Sequence, residues 1–108
     1  MSIMSKEDQA FLRELIDRGT RAQNGYFEYV HIAACLLPND LHESLQQLVN
    51  GPVWDGDVIS KCCRDALLSF GLAVRVCFKG EQGHTGATYF GYSVSKRIEE
   101  IRTGKVGA

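Results

Sequence analysis

The residues able to do chemistry concentrate in one stretch, NGPVWDGDVISKCCRD, at positions 50–65. It holds two adjacent thiols, Cys62 and Cys63, a close pair of carboxylates, Asp55 and Asp57, with Asp65 further on, and the cations Lys61 and Arg64. Paired thiols suit redox chemistry or a soft metal, and paired carboxylates suit general acid–base work. The spacing supports neither. None of the four cysteines (Cys35, Cys62, Cys63, Cys77) forms a C-x-x-C pair. Adjacent residues on a helix point about 100° apart and do not converge on an ion. His31, His42 and His84 fall in different elements, and the aspartates lack a nearby histidine, a third acid or a phosphate-binding loop. No P-loop, G-x-G-x-x-G or G-x-S-x-G motif is present. The expectation is therefore no catalytic residue, no metal, no cofactor and no enzymatic activity. The cysteines are expected to be reduced, buried small hydrophobes, and Asp55 or Asp57 to be helix caps.

The 108 residues suit a single domain, 1–108, and 44% hydrophobic with 23% charged residues is an ordinary globular balance. No apolar run approaches the roughly 20 residues of a membrane span. The start, MSIMSKEDQA, turns polar at once with no apolar signal region, so the chain is expected to be cytoplasmic. The net charge of −1 hides a split. Residues 1–59 carry four basic against nine acidic residues, net −5, and residues 60–108 carry eight against four, net +4. Such a split predicts that one face meets an anion and the other does not.

The elements that must position these residues follow from periodicity. Phe11, Leu12, Leu15 and Ile16 form a helical stripe within a helix at 5–18, capped by Ser5 with Asp8 and ended by Gly19. Residues 26–37, YFEYVHIAACLL, read as a buried helix stopped by Pro38, with a short strand as the alternative. Asp40 with Glu43 starts the next helix, on which Leu41, Leu45, Leu48 and Val49 share a face. Asn50-Gly51-Pro52 ends it. A helix at 57–70 closes at Gly71. Then Leu72, Val74, Val76 and Phe78 alternate with Ala73, Arg75, Cys77 and Lys79 as a strand. The segment GEQGHTG reads as a flexible tip, ATYFGYSV as a second strand, and 95–103 as a last helix capped by Ser95.

With the phrase RDALLSFGLAVRV followed by a glycine-bearing hairpin and TYFGYSV, the segment from Leu41 to Val94 resembles a winged helix-turn-helix domain. It is similar to small winged-helix proteins of phages and plasmids. The resemblance implies an α+β fold: a helical core at about 26–94, a two-stranded β-hairpin wing and flanking N- and C-terminal helices. It also implies a small double-stranded DNA-binding regulator, which inserts helix 57–70 into the major groove and rests the 79–87 wing on the backbone. The linker departs from the family, because NGPVWDG exceeds the usual turn of about three or four residues. Two aspartates also crowd the start of the second helix.

On a helical wheel, Val58, Ile59, Cys62, Cys63, Ala66, Leu67 and Phe70 share the apolar arc, so both cysteines point inward. Ser60, Lys61, Arg64 and Asp65 occupy the opposite arc, with Leu68 at its end. The expected nucleic-acid contacts are Arg64 to a base edge, and Ser60, Lys61, Arg75 and Lys79 to phosphates. His84 and Thr85 would sit at the wing tip. Binders of this kind often dimerise to cover two half-sites, and a homodimer contact is expected from the N-terminal helix or helix 95–103. The alternative is a winged-helix protein-interaction module without DNA binding, an adaptor or inhibitor anchored by Trp54 and exposed Leu68. Surface electrostatics separate the two. A continuous positive face over Lys61, Arg64, Arg75 and Lys79 favours nucleic acid; a face broken by Asp55, Asp57 and Asp65 favours protein.

Overall fold

The computed structural model describes residues 4–104. The elements are α1 (Lys6–Arg21), α2 (Tyr26–Leu36), α3 (Asn39–Val49), β1 (Val53–Trp54), a 3-10 turn (Asp55–Asp57), α4 (Lys61–Phe70), β2 (Ala73–Phe78), β3 (Glu81–Ala87) and α5 (Tyr89–Thr103). The architecture is α+β, with five α-helices and one antiparallel sheet of three strands, ordered β1-β3-β2, among the described residues. The expected sheet had two strands. The third is β1, whose Val53 and Trp54 pair with Thr85 and His84.

Ser5 caps α1 as its sequence predicts, accepting from the Asp8 N–H at 3.0 Å. Gly19 does not end the helix. It lies inside α1 against the Phe90 ring and the Tyr29 Cβ, where a side chain has no room. Leu12, Leu15 and Ile16 are buried, while Phe11 turns out to solvent. Segment 26–36 is a helix and not a strand, but it is not buried on every side: Val30, Ala33 and Ala34 face the core and Phe27, Ile32 and Leu36 are exposed. Helix α3 begins one residue early, behind Pro38, and has no side-chain cap; Asp40 lies in its first turn, where a negative charge suits the helix dipole. Helix α4 begins at Lys61 and not at 57, because the 3-10 turn occupies the start of the expected span.

The hairpin differs most from expectation. Lys79 and Gly80 both have positive φ, 53° and 80°, which makes a two-residue turn between Phe78 and Glu81. GEQGHTG is therefore not a flexible tip but supplies most of β3, the central strand of the sheet. ATYFGYSV is not a second strand beyond its first residue. Thr88 accepts from the Gly91 N–H and starts α5, so Val94 lies well inside that helix. Ser95, expected as a cap, is buried mid-helix. Phe90, Val94 and Ile98 recur every four residues and carry α5 onto the core.

The core is one cluster joining all five helices to Leu72 and Ala73, with Leu12, Leu45, Leu67, Leu72 and Val94 wholly buried. Sheet parity is the reverse of what the apolar alternation of β2 suggests. Ala73 and Thr85 face the core, whereas Val74 and Phe78 are 44% and 38% exposed. Register with β3 sets this parity, since Arg75 lies opposite Thr85 and Val76 opposite His84.

Candidate functional site

Asp55 does not cap a helix, and neither does Asp57. Both belong to the 3-10 turn, and α4 is capped by Ser60, whose Oγ accepts from the Cys63 N–H at 3.2 Å. Gln47 on α3 holds the turn in place: its Nε2 donates to the Asp57 carbonyl at 2.7 Å and its Oε1 accepts from the Ile59 N–H at 2.9 Å. These two bonds satisfy backbone groups in the segment that the aspartates were expected to cap.

Released from capping, the Asp55 carboxylate joins two elements. Arg75 donates to it from both terminal nitrogens, Nη1 to Oδ1 at 2.7 Å and Nη2 to Oδ2 at 2.8 Å. Arg64 adds Nη1 to Oδ1 at 3.0 Å. Arg64 also donates from Nε and Nη2 to Asp65 Oδ1, at 3.1 and 2.9 Å, and Arg75 donates to Thr85 Oγ1 at 3.1 Å. The Arg75 hydrogen bonds, with the charges of both guanidiniums, hold the Asp55 carboxyl below its usual range against an opposing effect of desolvation. The same contact raises Arg75 above its usual value. The Arg64 side chain is only 14% exposed.

The seven residues expected to contact nucleic acid therefore do not form one surface. Arg64 and Arg75 come together, but on carboxylates. Ser60 is a cap. His84 and Thr85 are buried in the central strand and not at a wing tip; His84 packs edge-to-face on Phe78 at 5.6 Å between ring centres. Lys79 is at the hairpin turn, its Nζ 5.4 Å from the Phe78 ring centre, and a bulge between Val76 and Phe78 removes it from the face of Arg75. Lys61 is exposed at the start of α4.

Trp54, the first expected anchor, is 53% exposed and its ring covers Gly56. Directly paired residues share a sheet face, which puts Trp54, His84 and Val76 in one row on the side away from the core. Val74 shares that side, and Phe78 adjoins it through His84. The second expected anchor, Leu68, is elsewhere: half-buried, it lines a groove of about 640 Å³ between α1 and α4 with Arg13 and Phe70. Sequence reasoning missed Val74 and Phe78 as surface residues, and only the pairing register could have revealed them.

Cys63 is buried, but Cys62, Cys35 and Cys77 are exposed, contrary to the inward placement expected of Cys62; all four are free. Among the described residues no cluster of three or more His, Cys, Asp or Glu could hold a metal ion, and no helix is long and apolar enough to cross a membrane. No family model, curated protein or solved structure matches the chain.

Proposed function

We propose that this protein is a protein-interaction module of winged-helix type, which binds its partner through the outer face of the sheet. The α3–turn–α4 pair leading into the β2–β3 hairpin supports the winged-helix part of the reading. One observation carries the rest: the cations best placed to read DNA, Arg64 and Arg75, are both engaged by Asp55, while Trp54, Val74 and Phe78 lie open on the sheet. A guanidinium held by a carboxylate must give up those bonds before it can take a base edge or a phosphate. The exposed apolar row needs no such exchange, and contiguous apolar surface rimmed by charge is characteristic of interfaces.

The test uses Trp54, the single tryptophan of the chain, as both anchor and reporter. Affinity capture from the native host should recover a partner with the wild-type protein and lose it with Trp54→Ala and with Val74→Glu. Adding that purified partner should shift Trp54 fluorescence to the blue. Undiminished recovery by both variants would overturn the reading.

A second reading, contact with double-stranded DNA, is favoured by Lys61. It stands exposed in the first turn of α4, where the helix dipole disfavours a cation and a nearby phosphate would offset it. Fluorescence anisotropy on a labelled duplex at two salt concentrations separates the readings. Tight, strongly salt-dependent binding by the wild-type protein supports DNA, and weak binding with no sequence preference supports the module.

A further inference from the structure

Helix α2 presents a discrepancy. A helix hydrophobic on all sides is ordinarily buried on all sides. Here Phe27 is 75% and Ile32 42% exposed. Neighbouring α5 adds Tyr89 at 73% and Tyr92 at 47%. The two helices run side by side in the same direction, since Tyr26 Oη meets Ser93 Oγ at 3.0 Å and, further along, Arg97 Nε donates to His31 Nδ1 at 3.0 Å. Between them lies a groove of about 860 Å³. At its N-terminal end Tyr26 stacks on Tyr89 at 5.8 Å and meets Phe27 and Phe90 edge-on at 5.3 and 5.5 Å, so the exposed rings are braced from the core. Toward the other end stand Lys96 and Arg97.

We infer that this groove is the interface of a two-fold homodimer, in which two copies dock with their α2–α5 pairs antiparallel. The charges select this occupant. The lining carries two cations, Lys96 and Arg97, and two carboxylates, Glu28 and Glu100, so it has no net sign for a nucleic acid or an acidic or basic peptide to match. It does match a reversed copy of itself. A two-fold axis that reverses the helices lays α2 against α2 and α5 against α5 of the partner subunit, so the cation end of each groove meets the aromatic end of the other. The same arrangement lays each copy's cations over the other's ring faces. An isologous contact has this self-complementarity by construction. The four exposed apolar side chains, with the stems of Lys96 and Arg97, offer on the order of 600 Å² per copy, the lower end of a specific interface.

Sedimentation equilibrium of the full chain tests this. The mass should move from one chain to two over roughly a hundredfold range of concentration, as a micromolar-scale Kd requires. Phe27→Ala should weaken the dimer about tenfold or more while leaving the circular dichroism and thermal melting of the dilute single chain unchanged, because Phe27 is mostly in solvent there. Lys96→Glu should weaken it, and Lys96→Arg should keep it, because a guanidinium packs on a ring face as an ammonium does. A single-chain mass at every concentration, or a dimer indifferent to Phe27→Ala or to Lys96→Glu, would overturn the inference. Val74 lies outside the groove, so Val74→Glu should leave the mass unchanged, and failure of the dimer is separable from failure of the sheet-face reading.

Discussion

Asp55 carries one negative charge between two guanidiniums, and its removal should change what the molecule can bind. In Asp55→Ala, Arg75 and the Nη1 edge of Arg64 lose their shared acceptor. Affinity for duplex DNA should rise, and the slope of log affinity against log salt should steepen by up to about two, as two more phosphates are neutralised. Anisotropy titrations at several salt concentrations measure both. The depressed carboxyl of Asp55 also sets a pH window: its contribution to stability is complete above the ordinary carboxylate range and is lost as pH falls through the lowered native value. His42 acts in a different window. It is 1% exposed and neither ring nitrogen has a partner among the described residues. Burial lowers its pKa from 6.5, aided by Arg102 and opposed by Glu99 and Glu43. Folding thus favours the neutral ring. Stability from this residue is complete above 6.5 and declines as pH drops below it. Thermal melts between roughly pH 8 and pH 5 should show the decline. His42→Leu should flatten it and stabilise the protein by about 1 kcal/mol at neutral pH, because two unsatisfied buried nitrogens are removed.

At the scale of elements, the junction of β3 and α5 organises the C-terminal half. Thr88 Oγ1 accepts from the Gly91 N–H and donates to the Gly71 carbonyl, both at 3.0 Å, tying the start of α5 to the end of α4. Thr88→Ala should lower stability by about 1 kcal/mol in chemical denaturation, while Ser95→Ala leaves this cap intact. Gly91 sits directly on the Leu72 backbone carbonyl, which cannot move aside as a side chain could. Gly91→Ala should therefore cost about 3 kcal/mol, read from the same titrations. Helix α5 was partly legible, because Phe90, Val94 and Ile98 already show a four-residue period. The aromatic and β-branched composition of ATYFGYSV pointed to a strand and obscured it. The three glycines of GEQGHTG obscured β3 for the converse reason: a central strand tolerates residues of poor strand propensity when both neighbouring strands pair with it.

At the scale of the molecule, the acidic and basic halves do not become two faces at this site. Asp55 of the acidic half closes on Arg64 and Arg75 of the basic half, so a charge split along the chain becomes charge pairing in space. The single core joining all five helices predicts one cooperative unfolding transition. Trp54 fluorescence reports the sheet and far-ultraviolet circular dichroism reports the helices. Their denaturant midpoints should coincide, and separate midpoints would mean that the sheet and the helical body unfold independently.

Local sequence by itself determined the cap of α1 and its Leu12, Leu15 and Ile16 stripe, the stop at Asn50-Gly51-Pro52, the end of α4 at Gly71 and the first strand of the hairpin. Each depends on residues within about four positions of one another, so periodicity and capping chemistry suffice. Tertiary structure decided what faces out. Sheet parity came from pairing β2 with β3, the partner of Asp55 lies 20 residues away at Arg75, and the α2–α5 groove exists only once residues 26–32 and 89–97 are side by side. These are long-range pairings, and no local pattern of apolar and polar residues encodes which of two faces a third element will cover.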